Sequence, residues 1–331
     1  MPQEHRVRLN ILLFIVVLVC EQKFGFTSEA GNPADYDEIL GRWNVTVYNP
    51  NHVYPNWFEV KLVKGELQGR FSGSGGATRT IDYLYYGDRT LYLSFPPMYE
   101  RRADDLLFIG DYHNDEIEGK TTNASGEIVR FLAVRAPALE FEGEPDWGEP
   151  VDYLTGKDLS VWLPKRSGQP FGWLLSDNVL KNVPPSVDLV TREKFMDFKL
   201  HIEFRMPPGM PSNSGIFLRG RYEIQISDYH AQELNPRSCG GIYGFITPLR
   251  WMLKPRGEWN TYDVTLVGRN VTVIFDGEKV IDNQEIPGIT TGALNSREAE
   301  PGPLLLQGDH GHIEFRNILI SRPEGEQSIF Y

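Results

Sequence analysis

Phe198-Lys-Leu-His-Ile-Glu-Phe-Arg205 alternates without a break. Successive side chains of a strand point to opposite faces, so Phe198, Leu200, Ile202 and Phe204 share one side. Lys199, His201, Glu203 and Arg205 share the other. One face suits a core and the other carries only ionisable groups, which predicts a half-buried β-strand. Met206-Pro-Pro-Gly209 ends it, because proline brings no ladder donor.

The neighbouring segments repeat the pattern. In Ser214–Gly220, Ile216 and Leu218 face one way, and Phe217 and Arg219 the other. In Tyr222–Ser227, Tyr222, Ile224 and Ile226 are core candidates, leaving Glu223 and Gln225 opposite. Leu304 and Leu306 keep a core register with Gln307 opposite, and Gly308-Asp-His-Gly311 turns the chain before Ile313 and Phe315. These non-core faces carry Arg, Glu, Gln and His, with little Lys, Ser or Thr. Sugar hydroxyls need paired donors and acceptors of that kind. The pattern predicts a shared polar cleft. Its candidate catalytic groups are Glu203, Arg205, Glu223 and His310. Asn213, Arg219, Gln225, Asp228 and Gln307 are its candidate substrate-binding groups. The plainer alternative makes each face the solvated outside of a sandwich.

No His-x-x-x-His or paired-cysteine spacing occurs. Glu203, Asp228 and His310 would together offer two carboxylates and a ring nitrogen, a donor set for a divalent cation. The Glu-x-Asp-x-x-Glu pattern of retaining sandwich glycosidases is absent. Glu223-Ile-Gln-Ile-Ser-Asp228 is nearest, with Gln225 in place of the middle acid. Cys239 has no His or Asn arrangement near it and reads as buried or incidental.

Upstream, residues 36–135 read as short strands broken by turns, among them Trp43–Tyr48, Trp57–Val63, Leu106–Gly110 and Val129–Val134. They predict a small antiparallel barrel or sandwich. Residues 136–150 hold three prolines and five acids, the composition of an exposed linker, and residues 151–323 return to strands. Residues 324–331 are expected to fray. The whole reads as an all-β protein.

The chain has 331 residues and a net charge of −12. That charge argues against a nucleic-acid partner, whose phosphates need a basic face, and against anionic lipid. Residues 1–30 read as a signal peptide: a basic start, the apolar run Ile11–Cys20, and Ser28-Glu-Ala30 as a cleavage site. Ten apolar residues are too few to span a bilayer, and no later segment is longer and apolar. An exported protein, periplasmic or extracellular, is expected. Cys20 follows Val19 where a lipobox requires Gly, Ala or Ser.

Several strings, in order, resemble the 3-keto-disaccharide hydrolase family. They are Gly156-Lys-Asp-Leu-Ser-Val-Trp162, Phe195-Met-Asp-Phe-Lys-Leu200, Asn213-Ser-Gly-Ile-Phe-Leu-Arg219, Tyr222-Glu-Ile-Gln-Ile226, Gly257-Glu-Trp-Asn-Thr-Tyr262, Gly302-Pro-Leu-Leu-Leu-Gln-Gly-Asp-His-Gly311 and Phe315-Arg-Asn-Ile318. The likeness covers residues 151–323. It implies a concanavalin-like jelly-roll sandwich and a carbohydrate substrate, a glycoside already oxidised to a ketone at C3. Such a reaction needs a base for the C2 proton, an oxyanion stabiliser and an acid for the leaving oxygen. Two alternatives stay open, a carbohydrate-binding protein without chemistry and a conventional glycoside hydrolase on the same fold.

Overall fold

The computed structural model describes residues 33–331 except 74, 101, 124, 155–158, 230 and 231. The expected leader, with Cys20, lies outside these residues, as does Gly156-Lys-Asp158. Pro33–Glu38 is a 3-10 turn. Among the described residues no α-helix occurs, and no helix is long and apolar enough to cross a membrane.

The first sheet has nine strands. They are β1 (Gly41–Asn49), β2 (His52–Val63), β3 (Glu66–Ser72), β4 (Arg79–Thr80), β5 (Tyr83–Gly87), β6 (Thr90–Phe95), β7 (Leu106–His113), β8 (Glu116–Thr122) and β9 (Ile128–Arg135). Their order is β4-β3-β2-β1-β9-β8-β7-β6-β5. The sheet curls until its ends meet. Ile81 N donates to Gly69 O at 2.9 Å, and a Cβ at Gly69 would strike Ile81 and Leu84. Of the two expected forms, this is a single curled sheet, barrel-like rather than a sandwich. Its interior is aromatic: Phe71 packs on Phe95 and Phe108 with ring centroids 4.4 and 5.2 Å apart.

Two further sheets form a sandwich. One comprises β10 (Val151–Asp152), β12 (Trp173–Ser176), β13 (Val179–Asn182), β15 (Phe198–Arg205), β18 (Asn260–Val267), β19 (Asn270–Phe275), β20 (Glu278–Glu285) and β22 (Ile313–Ser321). The other comprises β11 (Trp162–Pro164), β14 (Leu189–Phe195), β16 (Asn213–Leu218), β17 (Tyr222–Ser227), β21 (Gly302–Leu306) and β23 (Ile329–Phe330). We call them the β15 sheet and the β17 sheet. The core lies between them. Leu200, Ile202 and Phe204 of β15 meet Ile216, Leu218, Ile224 and Leu306 in one buried cluster. Alternation makes this packing inevitable, since each strand offers every second residue to the opposite sheet.

Trp57 ties the curled sheet to the sandwich. It is 0% exposed, belongs to the sandwich's own apolar cluster, and meets Phe245 edge-on at 5.2 Å. Gly288 lies so close to its indole that a Cβ there would be 2.1 Å from Nε1. Residues 136–150 are also seated on the sandwich. Gly148 N donates to Arg322 O at 2.8 Å, and Lys199 pairs with Glu144 at 3.0 Å. The tail expected to fray instead places β23 against β14.

Candidate active site on the β17 sheet

The expected single cleft is divided between two faces. Because β15 and β17 turn their apolar sides toward each other, their polar sides point away from each other. Glu203 and Arg205 therefore stand on the outside of the β15 sheet, apart from Glu223, Gln225 and Gln307. Register explains what they do there. Glu203 lies opposite Arg316, and Arg205 opposite Glu314. Arg316 reaches Glu203 at 2.6 Å and Arg205 reaches Glu314 at 2.5 Å. His201 lies across from Asp263 and meets it at 2.6 Å. The guanidinium groups of Arg205 and Arg316 lie against the Trp259 ring, 4.5 and 4.1 Å from its centroid. Opposite charges across a ladder stabilise pairing. This face is an ion-pair ladder, and its half-buried Trp259 is engaged by two guanidinium groups.

The outer face of the β17 sheet is different. Glu223 is 5% exposed, yet its carboxyl makes no hydrogen bond among the described residues. It lies over Gly215, where a Cβ would come within 2.2 Å of Oε1, so only glycine leaves room for it. A wall stands beside it because the 236–246 loop pairs with the edge of β17. Tyr243 N donates to Glu223 O at 2.9 Å, and Gln225 N to Gly241 O at 3.0 Å. Burial pushes the Glu223 pKa well above the ordinary carboxyl value, and the charges of Asp188 and Asp309 raise it further against an opposing Lys165. Burial and these charges favour its protonated, uncharged form. Its neighbourhood also pushes the Tyr243 phenol up to about 12, burial first and Glu223 second.

Other predicted groups share this face. Gln225 lies across from Gly215, and Asn213 stands farther along β16. Gln225 Oε1 and Asn213 Oδ1 are both buried without a hydrogen-bond partner among the described residues. Gln307 follows β21 directly, its N–H donating to Gly215 O at 3.0 Å. His310 sits on the next turn, and its Nδ1 bonds Asp309. That bond raises the His310 pKa above its usual value, against the effect of burial, and Asp188 adds to the rise. Burial alone would raise Asp309, but its bond to His310 together with the charges of His310 and Lys165 and a backbone hydrogen bond lowers it. The turn is fixed from below: Asn182 Nδ2 donates to Gly308 O and Gly311 O, each at 2.8 Å.

Two predicted groups are structural. Arg219 adopts a φ of 52°, which takes it out of the strand's alternation, and it is 0% exposed. Its Nη2 donates to Tyr222 Oη and Gly268 O, both at 2.9 Å, so it closes the end of β16 rather than facing substrate. Asp228 is bound by Arg256, which also reaches Ser212 Oγ at 3.2 Å. Glu203, Asp228 and His310 are not assembled into a cation site. Among the described residues no group of three His, Cys, Asp or Glu side chains is placed to hold a metal. Cys239 is buried, bonded to Tyr262 at 3.3 Å, and burial pushes its thiol up to about 11.

Residues 147–321 match the family described as 3-keto-alpha-glucoside-1,2-lyase-like domain, just over half of the chain. The chain belongs to this family. The 3-keto-alpha-glucoside-1,2-lyase-like domain thus comprises both sheets of the sandwich except β23, and membership makes this a carbohydrate-active, glycosyl hydrolase-like protein. A candidate glycosyl hydrolase from Parabacteroides distasonis ATCC 8503 is 28% identical over 56% of this chain and 94% of its own, with a TM-score of 0.46. A second from that organism is 26% identical over 54% and 99%, with a TM-score of 0.40. The carbohydrate binding module CBM66 from Bacillus subtilis is 9% identical over 48% and 93%, with a TM-score of 0.32. No curated protein matches.

Within this lyase-like domain, two residues of the face escaped the sequence pattern. Asp188 precedes β14 and accepts from Gly308 N at 2.9 Å, while Lys165 follows β11 and meets Asp188 at 3.0 Å. Neither lies inside a strand, so alternation could not single them out. A groove of about 450 Å³ begins at Lys165 and continues past Lys194, Arg221 and Tyr331.

Proposed function

We propose that the protein cleaves 3-keto-glycosides on the outer face of the β17 sheet, by elimination across C2 and C1 followed by hydration. One observation carries this reading: Glu223 is a buried carboxyl that makes no hydrogen bond among the described residues, with burial and the charges of Asp188 and Asp309 favouring its protonated form. A carboxylic acid in that state can give its proton to a leaving oxygen at neutral pH.

The ketone at C3 makes the C2 proton acidic. His310, aligned by Asp309, takes that proton, and the electron pair passes into an enolate whose oxygen lies at C3. The Lys165 ammonium stabilises this charge. As the enolate collapses, a C1–C2 double bond forms, the C3 carbonyl returns, and the C1–oxygen bond breaks. Glu223 protonates the departing oxygen, so the aglycone leaves as an alcohol. Water then adds at C1 and a proton at C2, giving the free 3-keto sugar. Gln225, Gln307 and Asn213 hold the hydroxyl groups, and the aglycone extends along the groove beyond Lys165. Glycosides without the ketone lack the acidic C2 proton and are not cleaved.

The test is to incubate the protein with one glycoside in its 3-keto and unoxidised forms, in deuterated water. Release of aglycone from the keto form alone, with deuterium at C2 of the sugar product, supports the proposal. Cleavage of the unoxidised form, or product without deuterium, sinks it. The basic start and apolar run further suggest action outside the cytoplasm, in the periplasm or beyond the cell. The mass of secreted protein would then lack the first 30 or so residues, and a secreted form retaining Met1 would contradict that.

A further inference from the structure

The curled first sheet holds a cavity of about 330 Å³ at one end of its interior, lined mainly by its own strands and loops, with Arg166 of the sandwich at the rim, and unused by the chemistry above. The way β2 fills that interior is unusual. Alternate residues Val60, Phe58, Asn56, Tyr54 and His52 share the inward register, so the strand runs from apolar to polar as it nears the mouth. On β8 the same register carries Ile117, Gly119 and Thr121. Asn56 and Thr121 are each 4% exposed and line the cavity, and among the described residues neither Asn56 Oδ1 nor Thr121 Oγ1 has a hydrogen-bond partner. Valine or leucine would fill those positions more favourably, because a buried polar atom without a partner destabilises the fold. Two such atoms on residues that line one cavity mark a place where a guest could complete the bonding.

We infer that this cavity is a binding site for a neutral sugar residue, separate from the site of cleavage. Its chemistry selects that class. The floor is apolar ring, from Phe71 and Phe108, and the rim carries His52 and Tyr54 with ring centroids 5.4 Å apart. Rings suit the C–H faces of a pyranose, while an amide and a hydroxyl suit its hydroxyl groups. The buried charges present are already matched: Glu100 with Arg79, and Arg102 with Asp104 and with Thr122 Oγ1 at 2.8 Å. Arg166, at the rim, is exposed to solvent. A half-open cup at the mouth of a curled sheet, with apolar rings at its floor and convergent polar groups around them, has the form of a small-molecule site. The first sheet then serves to hold a glycan near the domain that acts on it.

Calorimetric titration of the full chain carrying Glu223→Gln, with glucose, galactose, mannose, xylose and N-acetylglucosamine, tests this. Glucuronate serves as the charged comparison. At least one neutral sugar should bind, and Asn56→Leu and Thr121→Val, each added to that chain, should weaken it by at least about tenfold. Thr121→Val alters shape so little that folding is retained even if Asn56→Leu unfolds. In the otherwise unaltered chain, both changes should leave turnover of a 3-keto-glycoside unchanged. The inference is overturned if no neutral sugar binds, as a cup holding only water would give. Binding of glucuronate alone, or sugar binding untouched by both substitutions, would overturn it equally.

Discussion

Glu223 and the Asp309–His310 pair carry opposite requirements. The acid must hold its proton and the base must lack one, so activity rises with pH through the His310 pKa and falls through that of Glu223. Asp309 raises both, by its hydrogen bond to His310 and by its charge near Glu223. The acidic limb of the rate profile should therefore lie above about pH 6.5, the ordinary histidine value. Asp309→Asn removes the charge while keeping a hydrogen-bonding side chain. Both limbs should move to lower pH, the acidic one toward the ordinary histidine value. A pH–rate profile measured on the variant and the parent decides this, and unmoved limbs would mean that Asp309 does not set either proton.

Alternation along a strand reveals which residues share a face, and it found β15, β17 and their core sides correctly. It says nothing about which sheet a strand joins. Glu203 and Glu223 look equivalent in sequence, and only the pairing of β15 with β18 and β22, and of β17 with β16, sends them to opposite sides. Lys165 and Asp188 sit beside strands rather than in them, which hid them from any periodicity. Turn residues carry a more local signal. Asp276-Gly277 has φ of 48° and 82°, and Asp177-Asn178 has 55° and 59°, so both serve as two-residue hairpin loops. Asn178 tolerates the left-handed region and a β-branched residue does not. Asn178→Val should lower stability by about 1–2 kcal/mol, while Asn178→Gly should cost nothing. Chemical denaturation of both variants reads the difference, and equal midpoints would show that the hairpin does not need this conformation.

The whole molecule is less divisible than its composition suggests. A proline-rich acidic segment between two strand-rich regions reads as a linker between independent bodies, but burial is a property of three-dimensional contact that composition does not record. Trp57 of the curled sheet is buried in the apolar cluster of the sandwich, Arg42 reaches Glu285, and Thr46 meets Ser296 at 2.7 Å. One cooperative unfolding transition should result. Trp57→Ala should lower its midpoint, at a cost of about 3–5 kcal/mol. Two separate transitions, with only the first displaced, would contradict the shared core.

The division of polar groups between two faces is what the functional reading rests on, and turnover of a 3-keto-glycoside by Glu223→Gln and Glu203→Gln measures it directly. Each change keeps size and removes one carboxyl, so neither should unfold the sandwich. Glu223→Gln should reduce turnover by about 10²–10⁴-fold through loss of the proton donor, whereas Glu203→Gln, which only loosens the ladder with Arg316, should leave it unchanged. Full activity in Glu223→Gln alongside a comparable loss in Glu203→Gln would place the chemistry on the β15 sheet and contradict this account.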